Sequence, residues 1–240
     1  MRIELLDILR GLALLAMIAF HANYISINLF GGEVRLFSEG AWQNIGFAIG
    51  VSFIALSGYV NAYTDESRSI GKNLVRGWKR ALFLALIALS ISIVTYVFFY
   101  EERISWGIIH FFALASLLQP IFSKMGNWIW LAVVLIFLIS DTLTRIRGDT
   151  WYLIPFGISS ENYYSADYYP LFPWFGYMLF GQGCHVILRK FGIEHSLTRI
   201  VFPRLKLLGL LGKHSLLVYV LHVPVLYVLF SCIFWVLSLV

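Results

Sequence analysis

Apolar residues run in long stretches broken only by short polar segments. Stretches long enough to span a bilayer, about 17–25 residues each, recur along the whole chain. The pattern predicts seven spans, at roughly 8–29, 42–63, 78–99, 105–123, 127–143, 169–188 and 214–238. The fifth is short, and the sixth contains Pro170 and Pro173. The expected fold is all-α: a polytopic transmembrane helix bundle forming one integral-membrane domain over 1–240. The first stretch holds Asp7 and Arg10 and lacks a small-residue cleavage site, so it reads as a retained span rather than a signal peptide. Residues 199–213 alternate basic and apolar positions, which predicts an amphipathic helix along the inner surface. The outer segment 141–168 carries the aromatic cluster Tyr163, Tyr164, Tyr168 and Tyr169. It either caps an outward-facing pocket or forms an interfacial belt.

Composition agrees with this pattern. Of 240 residues, 60% are hydrophobic and 13% charged, and the mean hydropathy is +0.79. The net charge of +5 is explained by where the basic residues fall. With the N-terminus in the cytoplasm and seven alternating spans, fourteen of the 18 Lys and Arg lie inside. Only Arg35, Arg103, Arg145 and Arg147 lie outside. This positive-inside bias orients the chain N-terminus in, C-terminus out, and replaces nucleic-acid binding as the meaning of the charge. Cys184 and Cys232 fall near opposite faces, so a disulfide is not expected. Gly46 and Gly50 form a GxxxG pair suited to close helix packing.

The chemistry concentrates in the first span. Arg10 and His21 are eleven residues apart, which returns to nearly the same helix face at roughly 16 Å along the axis. Asp7 is one turn from Arg10 and is placed to pair with it. Ionisable groups inside apolar segments are costly and mark function, and a histidine there is a candidate general base. His110 in the fourth span and His222 in the last are further candidates, with Tyr219 on the face of His222. A helix-to-helix hydrogen bond is the plainer alternative for each. No histidine-rich spacing suggests a metal site. Arg10, Lys79, Arg80 and Lys213, with His214 beside them, are predicted at the inner face. They suit either the phosphates of a cytoplasmic ligand or anionic lipid. Ser57 and Asn61, one turn apart, suit a polar ligand or a neighbouring helix. No phosphate loop, dinucleotide fingerprint or nucleophile elbow occurs.

Five segments in order carry a resemblance. They are residues 2–13 (RIELLDILRGLA) with Met17 and His21, residues 52–58 (SFIALSG), residues 104–110 (ISWGIIH), residues 170–176 (PLFPWFG) and residues 212–222 (GKHSLLVYVLH). Together they resemble the heparan-alpha-glucosaminide N-acetyltransferase catalytic-domain family, within the broader transmembrane acyltransferases whose first helix has an Arg-x10-His motif. The resemblance implies acetyl transfer from cytoplasmic acetyl-CoA to an amino or hydroxyl group of a sugar or glycoconjugate on the far side. It implies phosphate contacts from Arg10, Lys79, Arg80, Lys213 and His214, with Ser57 and Asn61 nearby. Asp7 would orient Arg10, Gly11 would leave room for the pantetheine arm, and His21 would act as base or carry the acetyl group. His110, Trp106, Trp174, His222 and Tyr219 would line the acceptor pocket, with His110 also catalytic. The lysosomal members have asparagine where this chain has His21, so that role follows the superfamily motif. The bilayer of a prokaryotic cell is the expected location, and a homo-oligomer is compatible with the reading. The competing class is a transporter or binding protein with a histidine relay. The chain shows no internal repeat that would favour it.

Overall fold

The computed structural model describes residues 3–32, 38–143, 145–148, 150–198, 200 and 202–238. Among them the chain is helical, with a single isolated bridge between Trp106 and Tyr168 and no strand. The helices are α1 (Glu4–Phe30), α2 (Glu39–Asp65), α3 (Ile70–Phe98), α4 (Ile108–Phe122), α5 (Ile129–Leu143), α6 (Leu171–Lys190), α7 (Ile193–Leu197), α8 (Lys206–Lys213) and α9 (Ser215–Leu237). Helices follow from the solvent: inside hydrocarbon every backbone N–H and C=O must be satisfied within the segment. Each predicted span corresponds to one helix. Five helices are long and apolar enough to cross a membrane: α1, α2, α3, α5 with the turn before it, and α9. Of the other two predicted spans, α4 has only 15 residues, and α6 carries the buried polar residues Gln182 and His185.

The boundaries differ most at the first inner loop, which hydropathy extends over residues 65–80. Helix α3 in fact begins at Ile70 and carries Lys72, Arg76, Lys79 and Arg80. Lys and Arg are good helix formers, so the helix outruns the apolar stretch that signals it. Arg2, Arg35 and Arg199, counted in the charge bias, lie outside the described residues.

The chain divides into two compact units. One joins Met1–Phe53 to Gly192–Val240, and the other is Ile54–Phe191. Helix α2 begins in the first and ends in the second.

In the first unit, α8 and α9 pack on α1. The contact of α1 with α8 is backbone to backbone. A Cβ at Gly212 would sit 1.8 Å from the carbonyl oxygen of Asp7, and one at Gly11 would sit 2.1 Å from that of Leu208. This corrects one expectation. The space beside Gly11 is filled by α8 and offers no channel for a pantetheine arm. Helix α8 begins at Lys206 after a 3-10 turn at Pro203–Leu205 and packs against α1, with Leu207 and Leu210 turned outward. A Cβ at Gly46 would sit 3.2 Å from the Phe20 ring, and that ring stacks on Trp42.

In the second unit, α3 packs on α4 and α5 on α6. The lower half of α2 crosses α6 at a double close approach. A Cβ at Gly58 would lie 1.9 Å from the oxygen of Met178, and one at Gly181 would lie 1.9 Å from that of Ala55. The outer faces of α3 and α5 expose Leu82, Leu86, Leu89, Leu131 and Leu138, as membrane helices do toward lipid. Both cysteines are free thiols.

Small residues at such crossings replace a hydrophobic driving force with contact. Overpacking a filled site costs about 1–3 kcal/mol, and here the obstacle is backbone. Gly181→Val is therefore expected to lower the melting temperature in detergent clearly, whereas Gly71→Ala, where a Cβ meets nothing within 4 Å, should leave it unchanged. Equal melting of the two variants would show that the α2–α6 crossing is not a tight contact.

Candidate functional site

The residues expected at the site divide between the two units. Asp7, Arg10, His21, Lys213, His214, Tyr219 and His222 belong to the first. Ser57, Asn61, Lys79, Arg80, Trp106, His110 and Trp174 belong to the second.

In the first unit, α1 and α9 bring His21 and His222 together. Their ring centres are 4.8 Å apart, edge to face at 77°. The Nδ1–H of His21 donates to the carbonyl of Met17 at 2.9 Å. The Nδ1–H of His222 donates to the carbonyl of Tyr219 at 2.5 Å. A carbonyl can only accept, so each bond assigns the Nδ1–H tautomer and leaves Nε2 as the basic nitrogen. His222 is 7% exposed, and its Nε2 is buried with no hydrogen-bond partner among the described residues. Phe20 meets His21 edge-on at 5.4 Å, and the Tyr219 ring lies 5.4 Å from that of His222. Toward the N-terminal end of α1, Asp7 is buried and Arg10 half-buried, and both are engaged by neighbouring groups. Lys213 and His214 are exposed at the corner between α8 and α9.

In the second unit, Asn61 and Ser57 are buried on α2. Asn61 Oδ1 accepts from Arg80 at 2.6 Å and from Arg76 at 3.4 Å. Arg76 also donates to Thr64 Oγ1 at 2.8 Å and pairs with Asp65 at 2.9 Å. The structure thus joins Arg80 to Asn61. It adds Arg76 and Asp65, which the sequence reading passed over as loop. Lys79 is exposed, one residue and about 100° around the helix from Arg80.

His110 is bound on both sides. The backbone N–H of Gly107 donates to its Nδ1 at 3.1 Å. That leaves Nε2 with the proton, 3.2 Å from Ser92 Oγ, which in turn donates to the carbonyl of Ile104 at 2.7 Å. At helix position N3 this ring reaches back to the N-cap, half of a capping box. Both nitrogens of His110 are therefore spent on holding the start of α4, and the general-base role expected of it has no lone pair to use here. Asp167 completes the same cap: its Oδ2 accepts the N–H of Ile108 at 2.9 Å. Trp106 binds the outer segment through Nε1–H to the carbonyl of Tyr169 at 3.0 Å, and Tyr169 lies on the buried Trp174 with ring centres 4.4 Å apart. Within this unit the aromatic outer segment buttresses the N-terminus of α4.

His185 on α6 is buried in the second unit. Its Nε2 is 3.3 Å from Glu66 Oε2, Arg189 pairs with the other Glu66 oxygen, and the rings of Tyr59 and Tyr63 meet it edge-on. Glu66, His185 and Arg189 border a cavity of about 540 Å³ that also reaches Ser123, Lys124 and Gln182. Only a helical-wheel comparison of α2 and α6 could have signalled it.

Burial raises Asp167 from 3.8 to about 6, opposed by its bond from Ile108, and pushes Tyr163 up to about 12. The folded Asp167 thus holds its proton more tightly than the unfolded chain does. Its contribution to stability is full below pH 3.8 and is lost as pH rises through about 6. Asp167→Asn keeps an oxygen for the Ile108 N–H without a charge. Its melting temperature relative to wild type is expected to rise between pH 4 and pH 7. A difference independent of pH would show that Asp167 is not a buried carboxyl.

The sequence model of the family "Heparan-alpha-glucosaminide N-acetyltransferase, catalytic" matches residues 2–224. Comparison with curated proteins and with solved structures gave no match. The family match runs through both units and takes in Arg10, His21 and the histidine of α9 that meets it. With five helices long and apolar enough to cross a membrane, the chain belongs to the heparan-alpha-glucosaminide N-acetyltransferase catalytic-domain family, as an integral-membrane acyltransferase.

Proposed function

We propose that residues 1–240 form one membrane acetyltransferase domain that takes an acetyl group from cytoplasmic acetyl-CoA. The acceptor is an amino or hydroxyl group of a sugar or glycoconjugate on the far side, and the membrane is that of a prokaryotic cell. One observation carries the mechanism. His21 is held by its own helix in the tautomer that leaves Nε2 basic, eleven residues along that helix from Arg10, in a family of acetyltransferases.

His21 Nε2 removes the acceptor's proton as the acceptor attacks the thioester, or first accepts the acetyl group itself. Arg10 presents a planar donor fork suited to phosphate, and Asp7 keeps it oriented. Other cations for the donor's phosphates are Lys213 and His214 in the first unit, and Lys79 and Arg80 beside Ser57 and Asn61 in the second. Tyr219 and His222 are acceptor-side groups of the first unit. Trp106 and Trp174 play that part in the second, with His110 positioning α4 rather than exchanging protons.

His21→Ala should lower transfer by about 10²–10⁴-fold, the usual cost of losing a general base, while the protein melts within a few degrees of wild type. Thiol release from acetyl-CoA with an amino-sugar acceptor measures this, and near-wild-type turnover would remove His21 from the mechanism.

The basic residues near the start of α3 and the C-terminal end of α6 support an N-terminus in the cytoplasm. Single cysteines at Ser69 and Ser159, in a background lacking Cys184 and Cys232, are expected to react with an impermeant maleimide from opposite sides. Reaction of both from the same side would break the seven-span topology and relocate the proposed donor and acceptor sites.

A further inference from the structure

We infer that His21 and His222 work as an acid–base pair, with His222 giving a proton to the departing thiolate while His21 takes one from the acceptor. The inference deepens the acetyl-transfer reading and rests on it.

Three observations carry the inference. The two rings are neighbours, with centres 4.8 Å apart. Each is fixed by its Nδ1–H on a carbonyl of its own helix, so neither can swing its other nitrogen onto the backbone. And His222 Nε2 is buried with no hydrogen-bond partner among the described residues. A buried lone pair left without a donor is costly, and a proton on that nitrogen satisfies it. Helix α9 carries no Asp, Glu, Lys or Arg. The nearest carboxylate on α1, Asp7, is fourteen residues before His21, roughly 21 Å along the axis. The usual carboxylate partner of a catalytic histidine is therefore missing from both helices, and a second imidazole stands next to the first.

The reaction balances with one proton held by the pair. The acceptor's nitrogen or oxygen bonds to the acetyl carbon, and its proton passes to Nε2 of His21. The carbon–sulfur bond breaks, its electron pair goes to sulfur, and the proton on Nε2 of His222 goes to the same sulfur to give the free thiol. The pair's one proton has then moved from His222 to His21, and it returns between the adjacent rings before the next turnover. Proton delivery matters because a thiolate formed among buried apolar side chains lacks the solvation it has in water.

The test uses two donors whose leaving groups differ in acidity: acetyl-pantetheine, an alkyl thioester, and phenyl thioacetate, an aryl one. Wild type, His21→Gln, His222→Gln and His222→Asn are compared in neutral-lipid nanodiscs, and variants melting with wild type are assayed. Loss of an acid hurts the poorer leaving group most. His222→Gln should lower kcat/KM by about 10²–10³-fold with acetyl-pantetheine and by less than about tenfold with phenyl thioacetate, whose thiolate leaves unaided. His21→Gln should slow both donors alike. Equal losses with both donors at position 222 would make His222 a packing residue and overturn the pair, and so would no loss in either variant. Wild-type protein that turns over neither these thioesters nor acetyl-CoA itself would sink the acetyl-transfer reading, and the pair with it.

Discussion

In hydrocarbon a polar group has no solvent to fall back on, and every feature of this chain that bears on function is arranged around that constraint. Most side chains meet it locally. Ser52, Ser90, Ser140 and Ser231 each donate to the carbonyl four residues earlier. Gln119 and Gln182 bind one another at 3.0 Å, and Gln182 also donates to the carbonyl of Phe122. His21 and His222 follow the same rule with one nitrogen each. What separates them from the serines is that an imidazole has a second nitrogen, and at His222 that nitrogen is buried with no partner among the described residues. A buried polar atom in that condition calls for an explanation, and function is one.

The same constraint sets where helices touch. With lipid as apolar as leucine, contact must come from close fit, and glycine supplies it at Gly11 and Gly212 in one unit and at Gly58 and Gly181 in the other. These contacts also exclude. Gly11 invites the idea of a groove for a long acyl carrier, but the backbone of α8 already fills the space beside it.

Histidines that look alike in sequence separate once their partners are known. His110 sits in an apolar helix behind a glycine, much as a catalytic base would, but it lies three residues after the N-cap and its ring closes the helix start. His185 lies near a basic loop and looks ordinary, yet it is buried against Glu66. The difference lies in which backbone and side-chain groups face each ring. For His110 those groups are Gly107 and Ser92, and for His185 one is Glu66, more than a hundred residues away in the chain.

The sequence by itself determined the class and the chemistry on offer. Long apolar stretches can only be helices in a bilayer, and the Arg10–His21 spacing on one helix face follows from helical geometry alone. The order of five short motifs placed the chain in its family. It did not determine the start of α3, because hydropathy reports burial in lipid and not helix formation, so Arg76 was hidden in a supposed loop. Nor could it show that His222 meets His21, that Asp167 caps α4, or that Gly11 is filled by α8. Each of these depends on two segments far apart in the chain arriving at the same place, and the period of a single helix says which face a residue occupies but not what that face will meet.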